Sequence, residues 1–230
     1  MTSVLIPSRK IENLRACLTA IDRLDPAAPI RIIVVDDGLG GLPAGPVGDI
    51  EARTIPGAKP FVFSRNVNLG IRAAGDDDVI LLNDDALLTS YQGFTKLLWV
   101  ADANPQYGLI AAASNNVGNR NQRPLNCFSL RDEPRMVNFV CVWIPRRTLK
   151  TVGLLDEIFT TYGFEDDDYC LRVLKTGLKL GIYDGCVMDH STLKSTFRGE
   201  GHPGLTAGCK IFMQKWGHDT LGRPPIGATR

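Results

Sequence analysis

Three apolar runs, each stopped by polar residues, constrain this chain most: Val4-Leu5-Ile6-Pro7, then Ile30-Arg31-Ile32-Ile33-Val34-Val35 before Asp36-Asp37-Gly38, then Val79-Ile80-Leu81-Leu82 before Asn83-Asp84-Asp85. Short apolar runs bounded by turn residues fit buried strands. Between the first two, Ile11, Leu14, Leu18, Ile21 and Leu24 recur at helical spacing, so the chain opens with a β-α-β unit. Strands alternating with helices predict an α/β fold, a mainly parallel wound sheet flanked by helices.

The same reading predicts a Gly/Pro-rich stretch over Gly38 to Gly57, a strand around Lys59 to Phe63 and a helix after Asn68-Leu69-Gly70. It continues with a helix over Tyr91 to Ala103, strands at Leu109 to Ala113 and Val137 to Ile144, and a polar surface connection from Ser114 to Arg135. A helix is expected from Glu165 to Thr176-Gly177, short strands at Lys179 to Tyr183 and Cys186 to Met188, a last helix over Leu205 to Trp216, and a loose tail from Thr220.

With 230 residues, 44% of them apolar, the chain can bury a substantial core, and one domain is the default. Twenty-six basic against 25 acidic residues declare neither a nucleic-acid nor a membrane partner through overall charge. Cys17, Cys127, Cys141, Cys170, Cys186 and Cys209 form no CxxC pair and read as buried, reduced thiols. With no basic-then-apolar leader and no run of membrane-spanning length, a cytoplasmic protein is expected.

A carboxylate just past a buried strand stands at the rim where open α/β sheets bind ligands. Mg²⁺ and Mn²⁺ take hard oxygen ligands, often only one or two protein carboxylates with substrate phosphates completing the shell, so Asn83-Asp84-Asp85 is a candidate metal and phosphate site. A second acidic cluster, Glu165-Asp166-Asp167-Asp168, follows Tyr162-Gly163-Phe164. Asp168 and Arg172, at i and i+4, are explained as a surface ion pair, which leaves Glu165 and Asp166 to face a cleft. His190, behind Cys186-Val187-Met188-Asp189, is a further candidate ligand, and Asp36 is placed to meet a ribose or base. The chain lacks GxGxxG, GxxxxGK[ST], GxSxG and HExxH, so a Gly-rich phosphate loop, an esterase-type serine and a zinc protease site are not expected.

These motifs in this order (Val34 to Gly38, Asn68-Leu69-Gly70, Leu81 to Asp85, Glu165 to Arg172 with Gly177, and His190) resemble a family 2 glycosyltransferase of the GT-A fold over roughly residues 3 to 195. The resemblance implies a nucleotide-diphosphate sugar donor such as a UDP sugar, a Mn²⁺ or Mg²⁺ ion, and inversion at the anomeric carbon. By carry-over, Pro7, Ser8, Arg9, Asp36, Asn68, Asn83 and Asp84 would meet the donor, Asp85 and His190 the metal, and Asp166, beside Glu165, would be the general base. Asn83 stands where the family has the first Asp of Asp-x-Asp, a variant resembling rhamnosyltransferase-like members. Residues 1–195 would form the GT-A domain, with 196–230 a C-terminal helix and tail belonging to it or to an acceptor-side lobe.

Arg120, Arg123, Arg131, Arg135, Arg146, Arg147 and Lys150, with Lys194, Arg198, Lys210, Lys215, Arg223 and Arg230, suggest an anionic acceptor: a glycan, a polyprenyl-linked sugar or a modified nucleic acid. The competing readings are a catalytically silent nucleotide-sugar or glycan-binding module and a sugar nucleotidyltransferase. The latter is weakened because Val4-Leu5-Ile6 is not followed by a Gly-rich basic loop.

Overall fold

The computed structural model describes residues 1–40, 52–160, 163–193, 203–220 and 222. Its order is β1 (Thr2–Ser8), α1 (Ile11–Leu24), β2 (Ile30–Asp36), β3 (Ala52–Pro56), α2 (Phe63–Ala74), β4 (Asp78–Leu82), β5 (Leu87–Leu88), α3 (Gly93–Ala103), β6 (Tyr107–Ser114), β7 (Leu130–Glu133), β8 (Cys141–Ile144), α4 (Arg146–Val152), α5 (Glu165–Leu174), β9 (Lys179–Asp189) and α6 (Pro203–Trp216).

The strands form one sheet in the order β3-β2-β1-β4-β8-β6-β9-β5, with β7 also on β9. β3, β2, β1 and β4 are mutually parallel, β8 runs antiparallel to both β4 and β6, and β9 is parallel to β6. The fold is the expected mainly parallel α/β sheet.

Strand alternation divides the core. Val4, Ile6, Ile32, Val34, Ile80 and Leu82 point to the α1 and α3 face, while Leu5, Ile33, Val79 and Leu81 point to the face covered by α2, α4 and α5. Because both faces are covered, these strands are apolar at nearly every position, which makes them legible in sequence. Gly70 lets α2 lie close on the sheet: a Cβ there would stand 3.1 Å from a Leu5 methyl and 3.3 Å from a Val35 methyl.

Several expectations are corrected. The third strand is Ala52–Pro56, inside the Gly/Pro-rich stretch, rather than Lys59 to Phe63. Pro60 has no N–H to give a ladder, and Phe63 opens α2, which already contains Asn68. The Ser114 to Arg135 connection is not all surface: Asn119 and Gln122 are buried, and Leu130–Glu133 pairs with the edge of β9. The helix α4, which follows Pro145, was not anticipated. Lys179 to Met188 is one strand with an irregularity rather than two. Cys127 is exposed and Cys209 half-buried; the other four thiols are buried. Among the described residues, no helix is long and apolar enough to cross a membrane. Tyr162, Lys194, Arg198, Arg223, Arg230 and most of the expected tail lie outside the described residues.

Candidate active site

Parallel pairing brings the carboxyl ends of β1, β2, β4, β6 and β9 to one edge of the sheet, and the antiparallel β8 begins there. A cleft of about 640 Å³ opens at that edge, lined by Ser8 and Arg9 at the end of β1, Asn83 to Asp85 after β4, Asn138 before β8, Glu165 to Asp167 on α5, and His190 after β9. Its walls include Phe61, Phe63, Phe139 and Phe164.

On the β4 side, the Asn83 N–H donates to Val140 O at 2.9 Å and the Ala86 N–H to Asn83 O at 3.1 Å, so the chain turns as soon as the strand ends. Ser8 Oγ donates to Asp84 Oδ2 at 2.6 Å. Burial holds the Asp84 carboxyl above its ordinary value, and Asp85 beside it adds to that, while bonds from Ser8, Asn13 and the Arg9 main chain oppose it.

Asp85 Oδ1 lies 3.1 Å from His190 Nε2. The other ring nitrogen, Nδ1, is 2.9 Å from the Asn116 carbonyl oxygen, which can only accept, so Nδ1 carries a proton and Nε2 is the ring atom turned toward Asp85. A carboxylate and an imidazole nitrogen side by side on one wall, the ring fixed by a main-chain carbonyl, suit a divalent cation once Nε2 is free of its proton. Among the described residues no group of three metal-binding side chains gathers, so a cation here would draw its remaining ligands from water and substrate phosphates, as Mg²⁺ and Mn²⁺ commonly do. Asn115 and Asn116 fix this turn. Asn115 Nδ2 donates to Asp189 Oδ1 at 2.8 Å and its Oδ1 accepts from His190 N at 2.9 Å, while Asn116 Nδ2 donates to His190 O at 3.0 Å.

On the opposite wall, Gly163 (φ 93°) and Phe164 (φ 76°) are both left-handed, a conformation costly for phenylalanine. They redirect the chain so that the first turn of α5 points Glu165, Asp166 and Asp167 at the cleft. Asp166 Oδ2 accepts from Asn138 Nδ2 and its Oδ1 from the Asp167 N–H, each at 3.0 Å. Burial raises the Asp166 carboxyl against those bonds. Burial, with Asp166 alongside, pushes Glu165 up to about 8 and Asp167 up to about 7. Such carboxyls hold or release protons near neutrality, as general acid–base groups must.

The remaining candidates fall elsewhere. Asn68 is 1% exposed and ties α2 to the following lobe: Nδ2 donates to Leu155 O (2.9 Å) and Glu157 Oε1 (3.0 Å), and Oδ1 accepts from Leu155 N (3.0 Å). That fully used amide is a structural clamp and does not reach the cleft. Asp36 Oδ1 accepts from Gly38 N at 2.7 Å and from Leu39 N, closing the turn after β2. Its neighbour Asp37, buried and paired with Lys59, lines the cleft instead. Pro7 also lines the cleft. Asp168 is wholly buried rather than on the surface. Of the basic residues, Arg146 and Lys150 meet Asp76, and Arg147 donates to the Pro105 and Tyr107 carbonyls, at the far edge of the sheet. Arg131 is held by Asp184 at 2.6 Å. Among the described lining residues only Arg9 and His190 are basic.

Asn138 was missed by sequence reasoning, and so was the service of the Asn116 carbonyl. The available signal was an isolated amide inside the apolar run Met136-Val137-Asn138-Phe139-Val140, since a polar residue in a buried run needs a partner.

No protein-family model matches the sequence, and no curated protein is detectably similar to it. Solved structures do match in fold. GalNAc-T7 with UDP, GalNAc and Mn²⁺ superposes with a TM-score of 0.70 at 11% identity over 96% of this chain. The mannosyltransferase PcManGT from Pyrobaculum calidifontis, in complex with GDP-Man and Mn²⁺, gives 0.64 at 16% identity over 87%. The chain has the GT-A glycosyltransferase fold, and it spans 49% and 58% of the length of these two proteins.

Proposed function

We propose that this chain is a metal-dependent glycosyltransferase that moves a sugar from a nucleoside-diphosphate donor to an acceptor hydroxyl with inversion. The observation that carries the reading is one cleft joining the Asp85–His190 pair on one wall to the hydrogen-bonded Asp166 on the other. The neighbours' bound UDP, GDP-Man and Mn²⁺ support the ligand class.

In this reading Ser8, Arg9, Asn83 and Asp84 hold the donor diphosphate and ribose edge, with Pro7 and Asp37 framing the nucleoside. Asp85 and His190 would hold Mn²⁺ or Mg²⁺, which when bound offsets the charge building on the departing β-phosphate. Asp166 accepts the acceptor's O–H proton as that oxygen bonds to the anomeric carbon, while the bond from that carbon to the β-phosphate oxygen breaks and the nucleoside diphosphate leaves with the electron pair. A positioned base of this kind contributes about 10² to 10⁴ in rate. Asn138 keeps the carboxylate aimed and favours its ionised form.

The acceptor reading changes from the sequence expectation. Of the basic residues that suggested an anion, Arg131 is paired with Asp184, Arg146 and Lys150 meet Asp76, and Arg135 faces Asp167, while the base wall carries Glu165, Asp166 and Asp167 together. A phosphate or carboxylate beside the reacting hydroxyl would meet those groups unfavourably, so an acceptor uncharged at that end fits better.

The test is nucleoside diphosphate release from UDP, GDP and dTDP sugars with Mn²⁺, with and without neutral and anionic glycosides. Turnover that needs Mn²⁺ and Asp166 is expected. Metal-dependent nucleotide binding with no turnover from any donor would replace this reading with a silent binding module.

A further inference from the structure

α6 packs against the two residues that aim the base. A Cβ on Gly208 would stand 2.5 Å from the Gly163 carbonyl oxygen and 3.1 Å from the Phe164 ring, so only glycine allows this approach. The Phe164 ring lies 6.0 Å from that of Phe212, and Phe212 is buried. Two residues beyond Asp166, the wholly buried Asp168 turns away from the cleft and accepts from both ends of this contact. Arg172 Nε reaches its Oδ2 at 2.9 Å, while Lys215 Nζ and Trp216 Nε1 reach Oδ1 at 2.7 and 3.0 Å. Lys175 Nζ stacks over the Trp216 ring, 4.1 Å from its centroid.

The first turn of α5 thus has one face in the cleft and the other bolted to α6, with two left-handed residues as its entry. That entry is strained for Phe164 and persists only where the surroundings hold it. A carboxylate buried among three donors from two helices transmits any movement of one helix to the other, because leaving a buried charge unpaired is costly.

We propose that α6 is a positioning element for the Asp166 base, acting through Asp168, Trp216, Lys215 and Gly208, rather than an appendage of the domain. The proposal rests on the assignment of Asp166 as base. In it, Trp216 and Gly208 are positioning residues: neither lines the cleft, yet both fix where Asp166 points.

The experiment compares the full chain with Trp216→Phe, which keeps an aromatic ring at that position but removes the indole N–H together with part of the ring system, and with Gly208→Ala, which leaves Trp216 in place. Asp168→Asn is avoided, since it would strip a buried charge from two cations. Two readouts are taken: amide hydrogen exchange of the Gly163 to Asp168 segment, and steady-state kinetics with Mn²⁺ and the donor that turns over. Exchange in that segment should quicken by about tenfold or more, while the β1 and β4 amides and Mn²⁺-dependent UDP binding stay unchanged. kcat should fall by a similar factor with donor KM unaltered. Unchanged exchange at Gly163 to Asp168 in both variants overturns the proposal, as does faster exchange spread equally over the sheet, or a fall in donor affinity matching the fall in kcat. If the wild-type chain turns over no donor, the base assignment fails by itself, and the exchange readout still decides whether α6 holds this segment.

Discussion

Asn138→Ala tests Asp166 as the proposed base. In the native chain burial raises the Asp166 carboxyl, and the Asn138 amide is the largest influence opposing it. The neighbouring charges are Glu165 and Asp167 on the same turn and Arg135 facing Asp167. Removing the amide leaves burial less opposed, so Asp166 takes up its proton at a higher pH. A base acts only when ionised: activity is present above its pKa and lost as pH falls through it, so the acid limb of the pH profile must move up. A hydrogen bond to a charged group contributes about 1.5–3 kcal/mol, so the rate on that limb should fall by roughly tenfold to a hundredfold. The same amide accepts from Asn119 N at 2.7 Å, so unchanged Mn²⁺-dependent UDP binding serves as the folding control. The assay is kcat/KM for the acceptor at saturating donor, from about pH 5 to about pH 9. An acid limb that stays in place, or moves to lower pH, refutes the reasoning.

Three further outcomes are expected. Glu165, raised from 4.5 to about 8, binds its proton more tightly folded than unfolded, so the stability it confers is complete below about 4.5 and lost as pH rises toward 8; Asp167 acts alike up to about 7. The melting temperature should therefore fall as pH rises through this window, and Glu165→Gln should raise it at pH near 8 and flatten the dependence; a melting temperature that rises with pH there would contradict the burial argument. Asp85→Ala should reduce UDP affinity in Mn²⁺ to the value measured in chelator, and intact Mn²⁺ dependence in that variant would remove Asp85 from the metal site. Asn68→Ala leaves the Leu155 N–H without its partner, at a cost of about 1–3 kcal/mol in urea unfolding, with nucleotide binding unaltered; lost nucleotide affinity at undiminished stability would return Asn68 to the donor site.

Much of the sheet was legible because burial on both faces leaves long apolar runs, as in Ile30 to Val35 and Val79 to Leu82. α1 was legible because Leu14, Leu18 and Ile21 repeat at its period. β3 was hidden because Ala52–Pro56 is half-buried at an edge and carries no apolar run. β7 was hidden because Leu130-Arg131-Asp132-Glu133 is a strand only through the free edge of β9. Asp168 shows a different failure. Its spacing to Arg172 reads as a surface pair, and nothing local reveals that α6 closes over it.

The sequence by itself determined which residues end strands, since hydrophobic periodicity is local: Asp84-Asp85 and Asp189-His190 stand past apolar runs whatever the runs pair with. Tertiary structure decided which of those ends meet. Asp85 and His190 come within 3.1 Å although 105 residues apart in sequence, because β9 lies parallel to β6 and its end lies beside β5. Asn138 reaches Asp166 because β8 enters the sheet antiparallel and starts at the cleft. Strand neighbours and direction are fixed by packing between distant segments, and local patterning carries no record of the partner.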